Sequence, residues 1–268
     1  MGILLSRLLI ILNDEDYNST IYHIALVLVI NFDLICDMTI NELAQLCNVS
    51  KSTISKFVRI IGFEDYADFR AAAPFKENKF LNKLNYNTNI MGYLEANNFD
   101  AYLDIIKRDI ENYKKTIDMD IIDELTRDII KYKIVASFGL MYSETAAIDL
   151  QTKLAYNKKF IITKLNDIKQ DEFIRDAKED TLIIIFTNSG NYIKKYQISE
   201  TNPKKRIFEQ TKAKIVVITS NEDLKNDPLV DLCILFKHTS EVQTHAIMFE
   251  IISDIIVYRY RHLSKIES

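Results

Sequence analysis

Apolar positions along this chain follow two different periods, and the change between them divides it. Up to about residue 75 they recur at i, i+3, i+4 and i+7, the spacing of one face of an amphipathic helix. One such helix is predicted from about Leu4 to Leu12 and a second from Ser19, read as its N-cap, to about Asn31. A third, INELAQLC, puts Ile40, Leu43, Ala44 and Cys47 on one face. Thr39 stands at its N-cap, and Glu42 three residues on completes a capping box. Asn48-Val49-Ser50 is a short link. In the next stretch Ile54, Phe57, Val58 and Ile61 share a face opposite Lys51, Ser52, Ser55, Lys56 and Arg59. Ser50 caps that helix and Gly62 ends it. A further helix follows, stopped at Pro74.

Residues 77–97 are polar and rich in Asn and Lys, and read as a linker. Helical spacing returns from Phe99 to about Ile130, with Leu103, Ile106, Ile110 and Tyr113 as its apolar positions. Past Ile130 the period shortens. KIVASFG, KFIITK, DTLIIIF, AKIVVITS and DLCILF are short β-branched runs, separated by segments of helical length such as SETAAIDLQTKLAY. Strands apolar almost throughout, alternating with helices, predict a parallel sheet covered on both faces. Right-handed crossovers make it doubly wound. VQTHAIMFEIISDIIVYRYRHL reads as a long closing helix or an oligomer interface. The expected organisation is an all-α helix-turn-helix domain over 1–76, a linker over 77–97, and an α/β doubly wound, mainly five-stranded parallel sheet over 98–268 with a leading helix.

Composition narrows the partners. The net charge is −4, so a nucleic-acid surface has to be local. Cys36, Cys47 and Cys233 are an odd set at no metal-like spacing, read as buried thiols of a reducing cytoplasm. The apolar run IYHIALVLVINFDLIC carries His23, Asn31 and Asp33 and is too short and polar to span a membrane. No cofactor and no metal site are expected.

Two groups of residues carry candidate chemistry. Helix, three-residue turn, helix is the spacing of a helix-turn-helix, whose second helix lies in the DNA major groove. Ser50, Lys51, Ser52, Thr53 and Lys56 then sit at the reading end, with Arg59 one turn on, placed for phosphate. No Asp or Glu interrupts Ser50 to Ile61. The second group lies at strand ends, where open α/β sheets bind ligands. Gly139 and Ser143 follow the first strand; Thr187, Asn188, Ser189 and Gly190 follow the third. Such turns suit a phosphate, and the same residue types also serve as ordinary strand-to-helix caps.

A helix-turn-helix followed by a Ser-rich parallel α/β domain resembles the RpiR family of bacterial transcriptional regulators, most specifically from Thr39 to Phe69. The resemblance implies a C-terminal sugar isomerase (SIS) domain with flavodoxin-like strand order. It also implies control of sugar or amino-sugar metabolism genes, a double-stranded DNA operator, a phosphosugar effector, and a homo-dimer or tetramer in the cytoplasm. Against the family's G-x-G-x-S turn, Gly139 and Ser143 match and Met141 replaces the second glycine. Against S-x-S-G-x-T, Ser189 and Gly190 match, Thr187 keeps a hydroxyl and Tyr192 replaces the threonine. Glu241 and the Gln243-Thr244-His245 segment lie where such domains complete the site. In this reading a ligand that prefers one arrangement of the dimer changes operator affinity. One alternative is a regulator whose SIS domain binds no ligand and only dimerises, which Met141 and Tyr192 motivate. Another is a phosphosugar isomerase using Glu241, His238 or His245 as base. No motif fixes such a base, and the helix-turn-helix would be unexplained, so the chain is read as a non-enzyme.

Overall fold

The computed structural model describes residues 3–73, 87–196 and 204–266. The chain divides into two compact units, 1–85 with 195–204, and 86–194 with 205–268.

The first unit is helical throughout its elements. Helices α1 (Ile3–Asp14) and α2 (Thr20–Ile30) pack together, and a 3-10 turn over Phe32–Asp37 leads to α3 (Ile40–Leu46), α4 (Lys51–Ile60) and α5 (Tyr66–Ala71). Their starts are where side-chain caps predict them. Ser19 accepts from the Tyr22 N–H, Thr39 and Glu42 form the capping box, and Ser50 accepts from the Thr53 N–H. Gly62 takes φ +83, the left-handed conformation that ends α4. Ile54, Phe57, Val58 and Ile61 are all buried, as their spacing requires. Arg7 of α1 does what periodicity does not show. Its buried guanidinium donates to the Ile61 and Gly62 carbonyls at 3.0 Å each and lies over the Phe63 ring. It thereby satisfies carbonyls that the end of α4 would leave bare.

The second unit opens with a π-helical turn, Asn87–Met91, running into α6 (Gly92–Ala96). This part of the expected linker is therefore ordered helix, tied by Asn89 to Glu241 and Gln243. The helical stretch read from Phe99 to about Ile130 forms two helices, α7 (Phe99–Thr116) and α8 (Met119–Lys131). Asp118 caps the second by accepting from the Asp120 and Ile121 N–H groups. The buried line of α7 is Ile105, Asp109 and Tyr113, whereas Leu103 and Ile110 are exposed. The apolar face read from spacing is thus rotated, because Asp109 is drawn inside by hydrogen bonds described below.

The remaining elements are β1 (Ile134–Phe138), α9 (Tyr142–Tyr156), α10 (Asp167–Asp176), β2 (Thr181–Phe186), α11 (Asn191–Lys194), α12 (Ile207–Gln210), β3 (Lys214–Thr219), a 3-10 turn over Glu222–Asn226, β4 (Leu232–Leu235) and α13 (His245–Leu263). The sheet is parallel, in the order β1-β2-β3-β4, with Ala136 opposite Ile183 and Val217 opposite Cys233. Among the described residues four strands stand where the sequence predicts five. Within KFIITK only Ile162 pairs, as one parallel bridge to Ala136 on the outer side of β1. β2 shows why the strands are apolar without alternation. Leu182, Ile184 and Phe186 join a core with Leu125, Leu150 and Phe249 from α8, α9 and α13, while Ile183 and Ile185 join another with Ile174 and Phe208 from α10 and α12.

After β1 the chain turns sharply. The Ser143 N–H donates to the Leu140 carbonyl at 3.1 Å, and Met141 between them has φ 57 and ψ −119. These are the angles of the first central residue of a type II′ turn, a glycine position. Met141 thus holds a conformation that suits glycine, and a side chain there is strained by about 1–3 kcal/mol. Met141→Gly is expected to raise the unfolding free energy of the second unit by about 1 kcal/mol after the extra freedom of glycine in the unfolded chain is allowed for; denaturant titration measures it, and a loss of stability would contradict the assignment of strain. In the first unit, Arg7→Met removes the donor from two carbonyls and is expected to cost about 1–3 kcal/mol, read in the same titration.

Candidate functional site

The end of α4 that follows Ser50 is a surface of small hydroxyls and cations. Lys51, Ser52, Lys56 and Arg59 are exposed, and Thr53 and Ser55 are half-buried beside them. The hydroxyls are already organised. Ser50 Oγ lies 2.8 Å from both Ser52 Oγ and Thr53 Oγ1, and the Ser55 hydroxyl donates to the Lys51 carbonyl at 3.1 Å. The link before it is tight: the Val49 N–H donates to the Ala44 carbonyl, and Asn48 takes φ +53, which asparagine tolerates. All six residues predicted to face DNA are brought to one helix end and its next turn.

The strand-end residues of the second unit divide into turns, lining and core. Gly139 has no room for a side chain, since a Cβ would fall 2.4 Å from the Ser143 carbonyl oxygen. At Gly190, φ is +79 and a Cβ would meet Leu224 at 2.8 Å. Ser143 is buried at the start of α9, and its N–H and that of Glu144 are both bonded within the turn. Burial, with Asp167 nearby, pushes the Glu144 carboxyl up to about 7. Thr187 is buried, and its N–H donates to the Ile218 carbonyl. Ser189 Oγ accepts from the Asn191 N–H at 3.4 Å. Tyr192 does not join them. It points into the core at 3% exposure, where its hydroxyl donates to Gln170 Oε1 at 2.6 Å. Gln170 in turn donates to the Gly139 and Lys164 carbonyls. Burial raises the Tyr192 pKa well above the usual value, and the buried Lys205 ammonium, 2.5 Å from Asp171, stands over its ring. Tyr192 therefore supports the first turn from behind.

Asn188 is the centre of a polar cluster. Its Oδ1 lies 2.9 Å from His238 Nε2 and 2.7 Å from Ser220 Oγ, and its Nδ2 lies 3.3 Å from Gln243 Oε1. Its carbonyl accepts from the Thr219 hydroxyl and the Ser220 N–H. On its other side, His238 Nδ1 lies 3.4 Å from Asp109 Oδ2 and 3.3 Å from Thr244 Oγ1. Asp109 is fully buried. Burial alone would raise its pKa, but bonds from the Thr239 hydroxyl and N–H, the Thr244 hydroxyl and His238 hold it below the ordinary value. Burial pushes His238 down against the pull of Asp109. His245, on the same cluster, is pushed down to about 4 by burial and by His238. Glu241 is exposed and meets the cluster only through its carbonyl, which accepts from Asn89.

Asp109, Asn89 and Ser220 escape a sequence reading because they lie on other elements. A trace of Asp109 is present in the sequence: it falls on the line Ile105, Asp109, Tyr113 of a helix, where a lone carboxylate needs a partner. Among the described residues no group of three His, Cys, Asp or Glu is placed to hold a metal ion, and no helix is long and apolar enough to cross a membrane.

Comparison with known proteins bears on these surfaces. Residues 11–74 match the model of the helix-turn-helix domain, rpiR family. An uncharacterized HTH-type transcriptional regulator in the aarA 3' region of Providencia stuartii is 26% identical over 161 residues, 58% of this chain and 55% of that one. The chain thus spans about half the length of the curated relative it matches. Among solved structures, the Vibrio vulnificus NanR protein complexed with ManNAc-6P is similar at 14% identity and a TM-score of 0.47, over 98% of this chain and 97% of that one. The sugar isomerase domain of an RpiR transcription factor from Sphaerobacter thermophilus is similar at 11% identity and a TM-score of 0.42, over 59% and 88%. The family match spans the capped helices α3 and α4 and the link between them, so the first unit of this chain carries a segment that matches the helix-turn-helix domain of the rpiR family.

Proposed function

We propose that this protein is a bacterial transcriptional regulator of sugar or amino-sugar metabolism genes, acting in the cytoplasm as a homo-dimer or tetramer. Its DNA-binding domain is assigned to 1–76, the connection to 77–97, and an SIS-type effector domain, with flavodoxin-like strand order, to 98–268. The observation that carries the reading is α4: an acid-free, hydroxyl-and-lysine front on a helix whose back is buried against its own unit, inside a segment that matches the rpiR helix-turn-helix. Lys51 and Lys56 reach phosphate or guanine, Ser52 and Thr53 approach base edges, and Arg59 holds the backbone. Two copies are needed for two half-sites.

The effector is a phosphosugar at the strand ends. Gly139 and Gly190 let backbone come close, Ser189 supplies a hydroxyl, and Asn188 and Gln243 supply amides for the sugar. A second reading, a domain that only dimerises, is favoured by the first turn. There Met141 fills the glycine position, the Ser143 and Glu144 N–H groups are bonded internally, and Glu144 with Asp167 brings acid to where an anion would sit.

Lys51→Ala with Lys56→Ala is expected to weaken binding to genomic fragments selected by the wild-type protein and to lower the salt slope by about two. The circular dichroism should be unchanged. Equal affinity in fluorescence anisotropy would remove α4 from the interface. For the second unit, a thermal-shift screen against phosphosugars, with inorganic phosphate as control, is expected to give a sugar-selective rise of several degrees at about 100 times Kd, lost in Ser189→Ala. No shift at millimolar ligand would favour the domain that only dimerises.

A further inference from the structure

We propose that His238, held at Nδ1 by Asp109, fixes the hydrogen-bonding polarity of Asn188, and so makes that position accept a ligand hydroxyl and reject a bare anionic oxygen. His238 and Asp109 are then positioning residues for the effector site. The consequence for ligand choice rests on the proposed effector reading, whereas the proton arrangement stands on the cluster itself.

Asp109 Oδ1 accepts from the Thr239 N–H and hydroxyl at 2.6 and 2.5 Å. Its Oδ2 accepts from the Thr244 hydroxyl and faces His238 Nδ1. The nitrogen 3.4 Å from a buried carboxylate carries a proton, because its lone pair there would repel the charge. The environment of His238 sets how many protons it holds. From α7 it faces Asp109, from α13 His245 with ring centroids 6.3 Å away, and beside it lies the Phe236 ring at 5.4 Å. Lys237 next in sequence is paired with Glu222. Burial keeps His238 and His245 toward the neutral side. A neutral ring with its proton on Nδ1 presents a lone pair at Nε2, and Nε2 is 2.9 Å from the Asn188 amide.

Asn188 must therefore turn its NH₂ to His238. The two ends of an amide have the same shape, so no heavy atom moves. One N–H then goes to His238 Nε2 and the other to Ser220 Oγ, whose own proton goes to the Asn188 carbonyl at 2.9 Å. The Asn188 oxygen faces Gln243, which turns to donate, while the Gln243 N–H is fixed by Asn89 Oδ1 at 2.8 Å. Every group of the chain Asp109–His238–Asn188–Gln243 has a partner, and the remaining lone pair of Asn188 is an acceptor. If His238 held two protons, the whole chain would reverse: Asn188 would accept from Nε2 and turn an N–H outward beside a positive ring. A sugar hydroxyl fits the first arrangement and a phosphate oxygen the second. The anionic end of the ligand falls to Ser189, whose Oγ accepts from the Asn191 N–H and can donate its own proton.

The test is nitrogen-detected tautomer assignment in the full chain labelled at histidine. The four histidines keep the spectrum simple, and His238→Gln assigns the signal. His238 is expected as the neutral Nδ1–H tautomer near neutral pH. Asn188→Asp has the same shape and can only accept, so it should raise the His238 titration by about one pH unit or more. Asn188→Leu, which neither donates nor accepts, should leave the Nδ1–H tautomer in place. A neutral Nε2–H tautomer in the wild type overturns the proposal. So does an unmoved titration in Asn188→Asp whose other three histidine signals are native. Should that variant not fold, the wild-type tautomer decides alone. None of these readouts needs a ligand, so an empty phosphosugar screen would remove the effector reading and leave this result standing.

Discussion

A buried carboxylate without partners costs several kcal/mol, and Asp109 is wholly buried. The way its partners are found organises the strand-end side of the second unit. Thr239 donates twice and Thr244 once, which pins the loop before α13, and His238 is drawn between that carboxylate and Asn188. Because Asp109 faces inward, α7 is turned so that Ile105 and Tyr113 are buried with it and Leu103 and Ile110 meet solvent. One polar group thus fixes the rotation of a helix, the path of a loop and the position of a ring. The Asn188 turn after β2 is reached by the ring and by Gln243 of the loop.

The sheet supplies the rigid frame for this cluster. Each strand is covered on both faces, so β2 buries all six of its residues and the strand ends are held in fixed register. Gly139 and Gly190 then bring backbone within contact of Ser143 and Leu224, distances that no side chain would permit. Met141 departs from this economy. It holds a glycine conformation with a large side chain, and Tyr192 lies in the core, where Gln170 links it to the Gly139 carbonyl. Met141 and Tyr192 are thus one strained turn and one buried brace.

In the first unit the governing constraint is the exposed ends of short helices. Each of α2 to α5 has a side-chain cap at its start, from Ser19, Thr39, Ser50 and Asp65. The end of α4 is closed by Gly62 and by the Arg7 guanidinium from α1. A helix of ten residues has little stability of its own. Its buried face, its caps and Arg7 together hold it as a rigid presenter of Lys51, Ser52 and Lys56.

The helices of the first unit, their caps, the buried face of α4 and the apolar strands of the second unit are determined by local pattern. They depend on spacing, capping chemistry and β-branched runs, which act within a few residues. Gly139, Gly190 and the hydroxyls near them are legible for the same reason. Tertiary structure alone decided the reduction of KFIITK to one bridge, and also the face that α7 buries, the inward turn of Tyr192, and the joining of Asp109 and Asn89 to Asn188 and Gln243. The last three turn on where polar groups find partners, and such partners stand up to 154 residues away in sequence, as Asn89 and Gln243 do, beyond the reach of any local period.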